Sequence, residues 1–249
     1  MNAVAYLGHA TVLIELDGTK LLTDPLLRRR VTHLRRADDP RTEGLDEVDA
    51  VLISHAHHDH LHLRSLRLLD RSTQIVVPKG LRRLVRLGRF GSVTEVNEGD
   101  VVEIGLLSVR ATHAEHAGTR QPGWWWLKAP ALGYAIEGSQ KIYFAGDTDL
   151  FEEMEGLVPD LDVALLPIWG WGPSLGRGLH LDPRKAAEAL RLLRPRIAIP
   201  IHWGTYRPLH LGARARFLSA PAEDFAREAA ALAPEVDVRV LQPGERLSL

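Results

Sequence analysis

Short stretches in which apolar residues alternate with polar ones, or run unbroken for four or five positions, recur along the chain between turn-forming residues. Residues 3–7 and 11–16 read as strands, Asp17-Gly18 as a hairpin turn and residues 20–23 as the returning strand, so the chain opens as an antiparallel sheet. A polar, arginine-rich stretch over 28–41 has no such pattern and precedes a buried strand over 50–54. Residues 61–69 have helical spacing, 74–77 form a strand, and 79–87 form a short amphipathic helix with its arginines on one side. Strands dominate 92–112, joined by the turn Asn97-Glu98-Gly99-Asp100. The second half continues with strands over 131–137 and 141–145 around a Gly138-Ser139 turn, a helix over 149–156 and a strand over 163–166. A helix over 183–193, a strand over 196–201, a helix over 221–232 and a last strand over 236–241 follow. Strands and helices thus recur in both halves, which predicts a layered α/β protein with helices outside stacked sheets. There is no short-period repeat, and the Pro/Gly-rich insert over 121–130 reads as a loop, so residues 1–249 are expected to form one domain.

With 249 residues and 45% apolar content the chain can bury a sizeable core. A formal net charge of -1 supplies no global field for nucleic acid or an anionic membrane. The absence of cysteine excludes disulfides, thiolate zinc sites and cysteine nucleophiles, so any metal must be held by nitrogen and oxygen. No run approaches the roughly 20 apolar residues of a membrane span, and residues 1–6 lack a signal-peptide pattern. The expectation is a cytoplasmic protein with a small-molecule or lipid-like substrate, without a nucleic-acid partner; oligomeric state is left open.

The chemistry is concentrated where the 50–54 strand ends. His55-Ala56-His57-His58-Asp59-His60 packs four imidazoles and a carboxylate into six positions, and these are ligand types that divalent first-row metals prefer. A histidine-rich surface loop would need no partners. Here further candidates stand at the ends of other strand-like runs: His116, Asp147 and His202. Asp147 also has a plain alternative as a turn or cap residue before Thr148. Thr112-His113-Ala114-Glu115-His116 offers two histidines for one place.

The order H-x-H-x-D-H, lone His, Gly-Asp-Thr and late His resembles the metallo-beta-lactamase superfamily. Leu7-Gly8-His9-Ala10-Thr11-Val12, Leu22-Thr23-Asp24-Pro25, Phe144-Ala145-Gly146-Asp147-Thr148, His180-Leu181-Asp182-Pro183 and Ile201-His202-Trp203-Gly204-Thr205 are similar to one branch of it. That branch contains the phospholipase D acting on N-acyl phosphatidylethanolamine and the ascorbate-6-phosphate lactonases. The resemblance spans nearly the whole chain and implies a four-layer αββα sandwich. It puts His55, His57 and His116 on one divalent ion, Asp59, His60 and His202 on a second, and Asp147 on both. It favours His116 over His113 because His116 stands four residues before Arg120. Zinc is the favoured metal, with manganese and iron as alternatives, and two ions are expected.

The resemblance implies metal-assisted hydrolysis, with water activated between two ions and Asp59 and His180 counted as catalytic groups. The nearest likeness points to a phosphodiester; a lactone is the alternative, and a non-hydrolytic metal-binding or sensing protein is another. His180 precedes Asp182 and Pro183, a good N-cap and first helical residue, so its plain reading is a residue near a helix start. The resemblance instead turns it toward the metal centre, where an imidazole can protonate a leaving oxygen. Asp24, otherwise a turn residue before proline, becomes a buried carboxylate orienting the metal-binding loop. His9 is divided between packing and pocket, His58 and His62 stand at non-ligand positions, and His33 and His210 have no supporting pattern. Trp124 to Trp126 and the Trp169-Gly170-Trp171-Gly172-Pro173 stretch either pack in the core or rim a substrate pocket. Arg28 to Arg30, Arg35 and Arg36 read as a solvated basic face, or as a source of one phosphate-binding arginine.

Overall fold

A computed structural model describes residues 2–42, 44–118, 127–169, 180–209 and 216–249. Arg120, Trp124 to Trp126, Trp171 and His210 lie outside them. The opening meander is β1 (Ala3–Gly8), β2 (Thr11–Leu16) and β3 (Thr19–Thr23), paired antiparallel. Its second turn places Asp17 and Gly18 at φ +50° and +80°, as a tight primed hairpin turn requires. The arginine-rich stretch forms a small hairpin, β4 (Arg30–Val31) and β5 (Leu34–Arg36). It is followed by β6 (Ala50–Leu52), α1 (Leu63–Leu66), β7 (Gln74–Pro78), α2 (Arg82–Arg86) and β8 (Val93–Val96). Next come β9 (Val101–Ile104), β10 (Leu107–His113), β11 (Leu132–Glu137) and β12 (Lys141–Phe144), each antiparallel to the one before along β9 to β12. The chain ends with β13 (Val163–Pro167), α3 (Pro183–Leu193), β14 (Ile197–Ile201), β15 (Tyr206–Pro208), α4 (Ala220–Leu232), β16 (Asp237–Val238) and β17 (Arg246–Ser248).

These strands make two seven-stranded sheets, ordered β17-β1-β2-β3-β6-β7-β8 and β16-β14-β13-β12-β11-β10-β9, plus a small sheet β15-β5-β4. Alternation decides the layers. Val12, Ile14, Leu52 and Val76 belong to the core between the sheets, whereas Leu13, Val51, Ile75 and Val77 face outward and pack with Leu66, Leu84 and Val85 of α1 and α2. β6 and β7 are buried on both faces and therefore read as unbroken apolar runs. On the far side α3 and α4 cover the second sheet through Ala187, Leu190 and Phe225. This is the expected αββα sandwich.

Some expected elements differ. The 149–156 helix is one 3-10 turn, Glu152–Met154, because Phe151 is extended at φ -138° and the Asp149 side chain is engaged by Lys185. The α1 and α2 segments are shorter than their periodicity implied. The final strand is reduced to Asp237–Val238, and β17 lies elsewhere, paired antiparallel with β1. The 28–41 stretch is only partly a solvated face: Arg28 to Arg30 and Arg35 are exposed, whereas Arg36 is 3% exposed and donates to Leu7 O at 2.5 Å and to Asp38 at 2.9 Å.

Candidate metal centre

The strand directions bring the chemistry to one edge. β1 and β3 run parallel to β6 in the first sheet, and β10, β12 and β14 share one direction in the second. The residues just past their C-terminal ends are His9, Asp24, the His55 to His60 segment, His116, Asp147 and His202. Such an edge, outside the carboxyl ends of strands, is where α/β sheets commonly form ligand crevices.

The chain folds tightly there. Gly146 adopts φ +62°, and a Cβ on it would lie 2.6 Å from Ser54 Cβ and 2.9 Å from Leu132 O. Only glycine lets β12 deliver Asp147 this close to the His55 loop. Thr148 Oγ1 accepts the Glu115 N–H at 2.9 Å, and Thr148 O accepts the Leu181 N–H at 2.8 Å. The segments carrying His116, Asp147 and His180 are thereby tied to one another.

Seven of the expected residues come together, and His180 joins them. His55 Nε2 is 2.8 Å from His57 Nδ1, and His116 Nε2 is 3.3 Å from the same atom. The Asp147 carboxylate is 3.2 Å from His60 Nε2, 3.4 Å from His202 Nε2 and 3.3 Å from His180 Nε2. Asp59 Oδ2 is 3.7 Å from His60 Nε2 and 4.0 Å from His202 Nε2. His113 turns away, with its side chain 40% exposed and paired to Glu98 and Glu115. His58 and His62 stand outside the candidate ligand groups, and His33 is exposed.

Partners of the remote ring nitrogens fix the tautomers. His202 Nδ1 lies 2.6 Å from the Trp169 carbonyl, which can only accept, so Nδ1 carries the proton. Asp24 accepts from Ser54 N–H at 2.7 Å, from Ser54 O–H at 2.5 Å and from His60 Nδ1 at 2.7 Å. With its proton committed to Asp24, Ser54 Oγ accepts from His55 Nδ1 at 2.9 Å. Neutral His55 and His202 therefore turn Nε2 lone pairs into the cluster, and His60 directs its Nε2 the same way, an orientation typical of metal-binding histidines.

Charge states follow. Burial holds His55 well below its usual 6.5, His57 down to about 4 and His202 down to about 3, so all three are neutral at pH 7. Burial also opposes charge on His60, but the Asp147, Asp59 and Asp24 carboxylates outweigh it and hold this ring well above 6.5. Burial favours neutral Asp59 and Asp147, yet the surrounding imidazoles keep both carboxyls well below 3.8.

The donor set fits a divalent cation. His60 Nε2 and Asp147 Oδ1 are buried without a hydrogen bond of acceptable geometry among the described residues, and both face the cluster. Ligands about 2.0–2.2 Å from a zinc-like ion stand about 3–4 Å apart, the spacing found around Asp147. The groups His55/His57/His116, His9/Asp59/His60/His202 and His116/Asp147/His180 each converge within 4.8 Å. His9, divided in sequence between packing and pocket, and Ser54, which carries no sequence signal of its own, each follow an apolar strand run, as the ligand candidates do.

Stacked mixed sheets with helices outside and an imidazole–carboxylate cage at the strand ends define a metal-site protein of the αββα class. Residues 19–203 match the beta-lactamase superfamily domain, and the chain belongs to that superfamily. A UPF0173 metal-dependent hydrolase of Methanopyrus kandleri is 30% identical over 249 residues, covering 97% of each chain. The N-acyl-phosphatidylethanolamine-hydrolyzing phospholipase D 1 of Caenorhabditis elegans is 32% identical over 231 residues, 81% of this chain and 63% of that one. Igni18, a metallo hydrolase from Ignicoccus hospitalis, shares the fold with a TM-score of 0.72 at 24% identity, covering 99% of this chain and 97% of that one.

Proposed function

We propose that this metal-dependent hydrolase holds two divalent ions, zinc in preference to manganese or iron, and cleaves a phosphodiester. The carrying observation is one carboxylate facing two donor groups. Asp147 Oδ1 is 3.4 Å from His202 Nε2, while its Oδ2 is 3.2 Å from His60 Nε2 and 3.3 Å from His180 Nε2, and His180 groups with His116. His55, His57 and His116 would hold one ion, Asp59, His60 and His202 the other, and Asp147 both. When bound, such ions polarise a phosphoryl or carbonyl oxygen and lower the pKa of water from 15.7 to about 7.

The chain's own residues supply the rest. Asp59 and Asp147 stay ionised and offset the positive charge, while neutral His55, His57 and His202 need shed no proton to bind. His180, whose side chain is 13% exposed, reaches the cluster from the segment before α3 and delivers a proton from Nε2 to the leaving oxygen. Trp169, Trp203, Tyr206 and Phe217 line a small recess of about 10 Å³ beside His202, room for about one water molecule. The phosphodiester reading draws on the nematode relative's named reaction; a lactone is the alternative ester.

Metal analysis followed by a panel of phosphodiesters, lactones and thioesters tests the reading. Two ions per chain with phosphodiester turnover are expected. One ion at saturation would remove the two-ion reading, lactone turnover alone would reassign the substrate, and two bound ions without hydrolysis would point to a sensing role. His180→Ala should keep both ions and lower turnover about 10²–10⁴-fold for a poor leaving group, less for an activated phenolate. Loss of an ion in that variant would make His180 a ligand instead.

A further inference from the structure

One histidine at the metal edge stands outside the proposed ligand set. His9 is 2% exposed, and its Nε2 lies 3.1 Å from Asp59 Oδ2, the carboxylate oxygen that also faces His60 and His202. Its ring packs 3.9 Å from that of His202, centroid to centroid. The backbone that presents it is unusual. The pairing of β1 with β2 shifts register between Tyr6 and Gly8, His9 adopts φ +58°, and Gly8 adopts φ +112°, where a Cβ would meet Arg36 Nη2 at 2.7 Å. A left-handed, non-glycine residue is costly, and such strain concentrates at functional sites. The strain is held from both sides: His9 N–H donates to Thr205 Oγ1 at 2.7 Å, and His202 N–H donates to His9 O at 2.7 Å.

We infer that His9 is a positioning residue for the metal centre: it donates its Nε2–H to Asp59 and fixes which way that carboxylate presents Oδ2 to the ion shared with His60 and His202. A bridge of this kind has a second effect. Because His9 is bonded through its backbone to His202 and through its ring to Asp59, it sets the spacing between ligands from opposite sheets. Packing alone would need neither the donor nor the contact with Asp59.

The inference rests on the metal-centre reading, and binding measurements separate the two. Chelator-stripped protein is titrated with Zn²⁺ against a chromophoric competitor, and Co²⁺-loaded protein is followed by its visible spectrum. His9→Phe keeps the ring without the donor, whereas His9→Gln keeps a donor of similar reach; both bear the same backbone cost at positive φ, so their difference isolates the hydrogen bond. His9→Phe should weaken one ion by roughly 10–100-fold and leave the other unchanged, with His9→Gln recovering most of the loss. In an Asp59→Ala background the His9→Phe effect should vanish, since His9 acts through Asp59. Equal affinities for the Phe and Gln variants would overturn the inference, as would additivity with Asp59→Ala, which would make His9 a ligand. Wild-type protein that binds no divalent ion would overturn the metal-centre reading itself. Should His9→Phe fail to fold, Thr205→Val, which removes the acceptor of the His9 N–H along with the hydroxyl donated to Trp203 O, should weaken the same ion, and unchanged affinity would count against the inference.

Discussion

A proton and a divalent ion compete for the gap between His60 and Asp147. In the metal-free protein three carboxylates hold His60 well above 6.5, so it keeps its proton at neutral pH while His55, His57 and His202 have already lost theirs. Uptake of an ion by His60 must expel that proton. Apparent affinity for the His60 ion is therefore expected to rise by about tenfold per pH unit from pH 6.5 upward and to level off once the raised value is passed. Competition titrations at several pH values check this, with calorimetry in buffers of different ionisation enthalpy counting the proton released. Asp24 is the fixed point behind this arrangement, accepting from His60 and twice from Ser54. Asp24→Ala should cost about 1–3 kcal/mol for each donor left unpaired and about 10–100-fold in metal affinity, read by urea unfolding and ion titration. The legibility of these residues in sequence was uneven for a chemical reason. Ligand chemistry restricts residue type, so His55 to His60 stood out, whereas a Gly8-His9 pair or a serine after a strand has no distinguishing composition.

Elements that carry their own stop and start signals were legible; those that depend on distant partners were not. α3 matches its expected bounds because Asp182 accepts the Lys185 N–H at 2.9 Å, Pro183 occupies the first turn and the chain leaves through Arg194 in a left-handed conformation. The acidic 149–156 stretch has comparable helical residues, but Asp149 N–H donates to Glu115 O and its carboxylate grips Lys185, so the chain is held extended into Phe151. β17 carries only Arg246, Leu247 and Ser248, and exists because Tyr6 and its neighbours in β1 offer an unpaired edge. Arg36 reads in the sequence as part of a solvated basic face, or as a phosphate-binding arginine, because a buried arginine is exceptional; here a backbone carbonyl and Asp38 satisfy it. The cap of α3 is testable by itself. Asp182→Ala should lower stability by about 1 kcal/mol and, through the loosened segment that presents His180, reduce turnover without changing ion content. Denaturant unfolding and metal analysis of one preparation separate the two effects, and lost turnover with unaltered stability would show that Asp182 acts otherwise than as a cap.

Across the whole molecule the cluster joins the two halves of the sandwich. His55, His57, Asp59 and His60 follow a strand of the first sheet, whereas His116, Asp147 and His202 follow strands of the second. Without ions, the described contacts across this edge include Leu132 N–H to Ser54 O at 2.9 Å, Tyr134 O–H to Ile53 O at 2.7 Å and His202 N–H to His9 O at 2.7 Å. They place the sheets but leave imidazole lone pairs and carboxylates facing one another. A cation bound only by the folded arrangement stabilises it by mass action, about 4.1 kcal/mol for one site at a free concentration of 1,000 Kd. A chain of this size shifts by roughly 2–4 °C per kcal/mol, so one ion should raise Tm by roughly 8–16 °C over chelated protein. The gain should depend on both sheets: His55→Ala and His202→Ala, one from each, should each remove part of it while leaving the chelated proteins melting near the chelated wild type. Calorimetric scans with and without chelator measure this directly. Equal melting temperatures for loaded and stripped wild type, with ions shown to be bound, would mean that the unfolded chain holds the ions about as tightly as the folded one, as the contiguous His55 to His60 segment alone could, and that the second sheet adds nothing to their affinity.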